Sequence, residues 1–226
     1  MKNTLLILTL FLTSFSLQAQ TDFPALKQQF LDYRKAKNQD SALYVARTMN
    51  QLALKEQSDT SYWYALSMRY QGNPHDTWGN YDSAIHYWSK SVELFKNYHP
   101  ESPDYAASLN NLGVLYSDMG DYKAAESYYK QSLEIKKKVL GEEHPSYASS
   151  LNNLGSLYSD MGDYKAAESY YRQSLEIDKK VLGEEHPSYA SSLNNLGSLY
   201  SDMGDYKAAE SYYRQSLEID KKVLGE

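Results

Sequence analysis

Two tripeptides in this chain of 226 residues hold the side chains best suited to chemistry, Glu142-Glu143-His144 and Glu184-Glu185-His186. Carboxylates beside an imidazole can ligate a metal ion. A closed site, however, draws on a spaced set of His or Cys ligands, and the chain has no cysteine. Each tripeptide reads instead as an exposed acidic loop whose His-Pro step opens a helix. The lack of cysteine also excludes disulfides and a thiolate nucleophile. Ser, His and Asp all occur, yet no nucleophile elbow surrounds any serine. The carboxylates of Asp160 and Asp163 flank Gly162, and a helix end followed by a helix cap explains that spacing without acid–base work. No Gly-rich phosphate cradle is visible. Met161 reads as part of a core stripe, not of a cofactor box. These observations predict no cofactor, no metal and no enzymatic activity.

The charge balance points the same way. With 23 Lys+Arg against 29 Asp+Glu, the net charge of −6 argues against nucleic acid as a partner. The Tyr170-Tyr171 step therefore reads as core and rim, not as a stacking platform for bases. The first twenty residues, 1–20, have the layout of a secretory signal peptide: Lys2, an apolar run from Leu5 to Leu17, then Gln18, Ala19 and Gln20. The run is short for a bilayer span, so cleavage after Ala19 or Gln20 is expected, with no further transmembrane segment. Export favours a periplasmic or cell-surface location in a bacterium with two membranes.

The elements that carry these residues recur. Tyr105 to Ser146 returns as Tyr147 to Ser188 with four changes, at 107/149, 114/156, 130/172 and 136/178, which sets a period of 42 residues. Tyr189 to Glu226 repeats the second copy without change until the chain stops. Each unit reads as two helices. Helix A starts near Tyr147 behind a Ser146 cap, with Asp104 as the matching cap one unit earlier. It carries Leu151, Leu154, Tyr158 and Met161 on one stripe and ends at Gly162 in a left-handed turn. Asp163 caps helix B, whose stripe is Tyr164, Ala167, Tyr171, Ser174 and Leu175, and which stops at Gly183. A lone pair cannot bury both faces, whereas stacked pairs share a continuous core. Upstream, residues 21–104 read as two divergent units. One has helices at Phe23 to Ala36 and Asp40 to Lys55. The other has Ser61 to Tyr70 and Tyr81 to Tyr98, with an insertion from Gln71 to Trp78 between them. Residues 105–226 hold three near-identical units, the last truncated.

Leu154-Gly155, Tyr158, Ala167 and Tyr171 carry a family resemblance in their spacing. With the 42-residue period and the Leu-Gly-Glu-Glu-His-Pro loop, the chain resembles tetratricopeptide repeat (TPR) proteins of the longer kinesin-light-chain-like kind. The resemblance implies an all-α fold, a right-handed superhelical solenoid of antiparallel helix pairs. It also implies that helix A lines a concave, peptide-capturing surface. Carried over by position, that groove holds Ala107, Asn110, Asn111, Val114, Ser117 and Asp118. The next unit offers Ser149, Asn152, Asn153, Ser156, Ser159 and Asp160, and the last Ser191, Asn194, Asn195, Ser198, Ser201 and Asp202. Asn amides can donate to and accept from an extended peptide backbone, although such side chains are equally at home as a solvated face or a repeat junction. No Lys or Arg falls among these positions, so a C-terminal carboxylate is not the expected ligand.

The expected function is a non-catalytic scaffold that binds a protein or peptide in this groove. The alternative is the N-terminal recognition arm of a longer chain ending in a caspase-like protease or sensor kinase domain, as the resemblance also allows. The sequence stops at Gly225-Glu226 inside the loop, which suggests a fragment. A last repeat without a polar cap would leave Leu196, Tyr200 and Leu217 partly uncovered, so self-association through that repeat is also expected.

Overall fold

The computed structural model describes residues 22–224. The expected export signal at 1–20 and the end at Gly225-Glu226 fall outside them. The described residues form helices α1 (Phe23–Lys35), α2 (Gln39–Glu56), α3 (Tyr62–Thr77), α4 (Tyr81–Tyr98) and α5 (Pro103–Asp118). They continue as α6 (Tyr122–Leu140), α7 (Pro145–Asp160), α8 (Tyr164–Val181), α9 (Pro187–Asp202) and α10 (Tyr206–Leu224). Odd-numbered helices are the A helices and even-numbered ones the B helices. Each packs on its neighbours in chain order. The result is an all-α, right-handed superhelical solenoid of antiparallel pairs.

Local sequence explains the punctuation. Asn38, Asn80, Asp121, Asp163 and Asp205 each precede a B helix. Their side-chain oxygens accept the backbone N–H three residues on, at 3.1 Å for Asp163 and Ala166. The residue before four of these caps is a glycine at positive φ, as at Gly162 (φ 77°), a conformation that favours glycine. In the first pair Lys37 takes that place at φ 56°.

Two devices set the close approach within a pair. Gly155 faces the Tyr171 ring so closely that a Cβ would lie 2.6 Å from it, and Gly113 and Gly197 meet Tyr129 and Tyr213 in the same way. A buried serine on helix B then reaches the A-helix backbone. Ser91, Ser132, Ser174 and Ser216 donate to the carbonyls of Ala65, Ala106, Ala148 and Ala190 at 2.8–2.9 Å. Between pairs, Ala167 and Tyr171 bury against Leu196 and Leu199, and Ala125 and Tyr129 against Leu154 and Leu157. Tyr158 stacks on Tyr170 at 5.4 Å, and its hydroxyl donates to Glu126.

Several local expectations are corrected. Helix α7 begins at Pro145, not Tyr147, and its cap is His144, whose Nδ1 accepts the Ser146 N–H at 3.0 Å. Ser102 caps α5, which frees Asp104 to pair with Arg69 and Tyr62 of the preceding repeat. Met161 is 44% exposed, because it lies at the C-cap, beyond the last packed turn. Gln71 to Trp78 is no insertion, since α3 runs on through Gly72 and Pro74 to Thr77. Gly72 opposes Trp88 as Gly113 opposes Tyr129, so tertiary packing holds a helix where propensity predicts a break.

Candidate functional site

The A helices of repeats two to five touch one another along the stack, and no comparable contact joins successive B helices. The A side is therefore the inner side of the array. On it, Asp118, Ser149, Ser156, Asp160, Ser191, Asn194, Ser198 and Asp202 are exposed, and Val114 is 36% exposed. Ala107, Asn110, Asn111, Ser117, Asn152, Asn153, Ser159, Asn195 and Ser201 are half-buried.

The asparagines divide into two kinds. Asn153 donates to the Asn110 amide oxygen at 2.8 Å, and Asn111 to Asn73 at 3.2 Å, so amides link one repeat to the next. Asn152 turns to the junction and donates to Ser192 at 3.1 Å. Ser149 and Ser191 donate back to the carbonyls of Pro145 and Pro187 in their own helices. Ser201 borders the outer face of the last pair beside Tyr206 and Tyr213. The inner side chains most open to a ligand are thus Ser156, Ser198 and the three aspartates, while Asn194, the counterpart of Asn152, lies at the junction position of the last pair.

Asp160 senses its two neighbours. Partial burial, then the charges of Asp202 and Asp118, raise the Asp160 carboxyl above the usual carboxylate range. Asp76 is raised by burial and by Asp118, against a lowering from Arg34. One acidic row therefore follows the inner surface, and at its N-terminal end it meets basic groups. A cavity of about 120 Å³ is lined by Arg34, Arg69, Asn73, Asp76, Asn111 and Val114, closed by Trp88. Burial, then the adjacent Arg69 charge, lowers the Arg34 guanidinium. Asn73 accepts from both Trp88 Nε1 (3.2 Å) and Asn111.

The near-identical repeats bring no Lys or Arg to the inner positions named from the sequence, and the divergent repeats add Arg34 and Arg69 at the N-terminal end of the row. The sixteen-residue interval from Gly72 to Trp88, equal to that from Gly155 to Tyr171, is the signal that aligns α3 and finds them.

The acidic loops have a structural role. Glu143 pairs with Lys180 and Glu185 with Lys222 across repeats, while Glu142 and Glu184 pair with Lys137 and Lys179. Among the described residues, no group of three or more His, Asp or Glu is placed to hold a metal ion. No helix among them is long and apolar enough to cross a membrane.

Helix pairs locked by glycine against an aromatic, with an inner row of polar A-helix side chains, define a helical repeat protein. Residues 79–138, 118–180 and 146–222 match the tetratricopeptide repeat family, and the chain belongs to it. Repeats of this family are generally protein-interaction scaffolds. Among solved structures, a Podosopora anserina kinesin light chain with nearly identical TPR-like repeats is similar at 22% identity. That similarity has a TM-score of 0.71 and covers 90% of this chain and 99% of the other. BtubC (BKLC) from P. vanneervenii is similar at 21% identity and TM-score 0.72, covering 90% and 91% of the two chains. A Rap protein complexed with competence and sporulation factor is 15% identical with TM-score 0.73, over 90% of this chain and 55% of that one. At these identities the likeness is one of fold. No curated protein sequence matches the chain.

Proposed function

We propose that this chain is a non-catalytic scaffold that holds an extended peptide or protein segment on its A-helix face, and that it works outside the cytoplasm. One observation carries the reading: three successive A helices present Asn, Ser and Asp at matching positions along the side where A helices meet, with Ala107 and Val114 the two apolar departures. Short Ser and Asn side chains leave the space an extended chain needs, and fixed aspartates at each repeat give it charge to read. The charge pattern favours a ligand with basic side chains along Asp118, Asp160 and Asp202 and an acidic group near Arg34 and Arg69. The Rap complex supports the reading by analogy, as a similar fold that carries a bound factor. The reading of residues 1–20 as an export signal supports the location.

The test is a peptide array probed with the labelled protein, followed by titration of the best binders. Basic peptides should be enriched. An Asp118→Asn, Asp160→Asn, Asp202→Asn triple variant should weaken them at least tenfold. An array with no preference for basic residues, or a triple variant that binds unchanged, would count against the proposal.

A further inference from the structure

The divergent repeats give the inner surface a different chemistry at its N-terminal end. Arg34 lies four residues before the Asn38 cap, and Asp76 four before the Asn80 cap. Ser117, Ser159 and Ser201 hold the same place before Asp121, Asp163 and Asp205. Two equivalent positions, one repeat apart, therefore carry opposite charges where the later repeats carry a small hydroxyl. Both residues line the cavity of about 120 Å³ that Trp88 closes. Yet among the described residues neither side chain makes a hydrogen bond or an ion pair.

The neighbouring donors are in the same state. Arg69 spends one terminal nitrogen on Asp104, while its Nε is buried with no acceptor among the described residues. Asn73 accepts from Trp88 and Asn111 through one oxygen, and its amide nitrogen donates to nothing among the described residues. An N–H left this way keeps its desolvation cost until an acceptor arrives. The charges also form two like pairs. Arg34 and Arg69 repel each other, and so do Asp76 and Asp118. A plain anion would relieve the arginines but crowd Asp76, and a plain cation would do the reverse. A ligand that joins an anionic and a cationic group by a short link relieves both. The cavity has the volume of about four waters, which limits such a ligand to a few heavy atoms.

We propose that this cavity binds a small free α-amino acid as its zwitterion. The carboxylate takes the donors of Arg34, Arg69 and Asn73, and the ammonium takes the Asp76 carboxylate. Val114 supplies an apolar wall for a methyl-sized side chain, which makes alanine the natural probe. The site goes beyond the scaffold reading, which needs no small molecule.

The test is isothermal titration calorimetry of the full chain with L-alanine at neutral pH. Saturable one-to-one binding is expected at millimolar ligand or below. N-acetyl-L-alanine keeps the carboxylate without the ammonium, and L-alaninamide keeps the ammonium without the carboxylate. Each should bind at least tenfold more weakly than alanine. Arg34→Gln and Asp76→Asn in the protein should each weaken alanine at least tenfold. Arg34 is exposed and Asp76 half-buried, at places where other repeats carry serine, so both variants should fold, and far-UV circular dichroism checks it. N-acetyl-L-alanine binding as tightly as alanine overturns the proposal, since the cavity would then read a carboxylate alone. Alanine binding that neither variant weakens overturns it too. So does an absence of saturable binding, whether or not basic peptides bind, which keeps this failure separate from that of the scaffold reading.

Discussion

Lys136 offers a direct reading of what a buried charge costs this array. It is 9% exposed, and its ammonium donates to Ser150 Oγ at 2.6 Å and to the Ser146 carbonyl at 3.1 Å. Among the described residues no carboxylate shares the site, and burial pushes its pKa down to about 8. Relative to the ordinary lysine value of roughly 10.4, that depression corresponds to about 3 kcal/mol lost by holding the charge inside. Below pH 8 both folded and unfolded lysine are charged, and the penalty is complete. Between about 8 and 10.4 the unfolded chain keeps a proton that the folded one releases, so stability rises with pH.

Lys136→Met keeps most of the volume and removes the charge. Allowing about 1 kcal/mol for the hydrogen bonds given up, the variant should be more stable by about 2 kcal/mol at pH 7. The assay is urea unfolding of both proteins by far-UV circular dichroism from pH 7 to 10. Tyrosine ionisation affects both alike and cancels in the difference. The gap between the midpoints should narrow as pH rises through 8. A variant no more stable at pH 7, or a gap constant across the range, would refute the reasoning.

Other predictions rest on neighbouring features. Asp178 occupies the place of Lys136 one repeat later, and burial raises its carboxyl, so its charge is costly once ionised. Asp178→Asn should therefore be stabilising at neutral pH, with a gain in thermal midpoint that grows as pH rises from about 4. Gly155→Ala drives a methyl into the Tyr171 ring held under α9 and should cost about 2–3 kcal/mol in urea unfolding. Gly197→Ala meets Tyr213, which can swing outward, and should cost about 1 kcal/mol or less in the same assay. Asp104→Ala leaves Arg69 half-buried without its carboxylate and should cost about 3 kcal/mol. Tyr62→Phe, which removes one hydroxyl from the same carboxylate, should cost about 1 kcal/mol, and differential scanning calorimetry separates the two.

Much of the architecture is legible because each cue is local and repeated. Glycine before Asp163 can only end one helix and let the aspartate begin the next. Leu154-Gly155, Ala167 and Tyr171 lie at intervals that a packed helix pair imposes, and the same intervals identify the family. The second pair is harder to read. Gly72 and Pro74 argue against a helix on propensity alone, and it is the Trp88 ring against Gly72 that holds α3 there. Arg34 and Arg69 could not be assigned to the inner face until α3 was known to continue.

The amino-acid sequence alone determined the period, the aspartate caps of the B helices, the all-α class and the row of A-helix positions, since these depend on contacts between near neighbours. Tertiary structure alone decided which asparagines are spent between repeats. It also decided that Lys136 and Asp178, opposite in charge, sit buried at one equivalent place. These outcomes depend on what the adjoining repeat brings against a residue, and identical sequences in different neighbourhoods have no means of recording that.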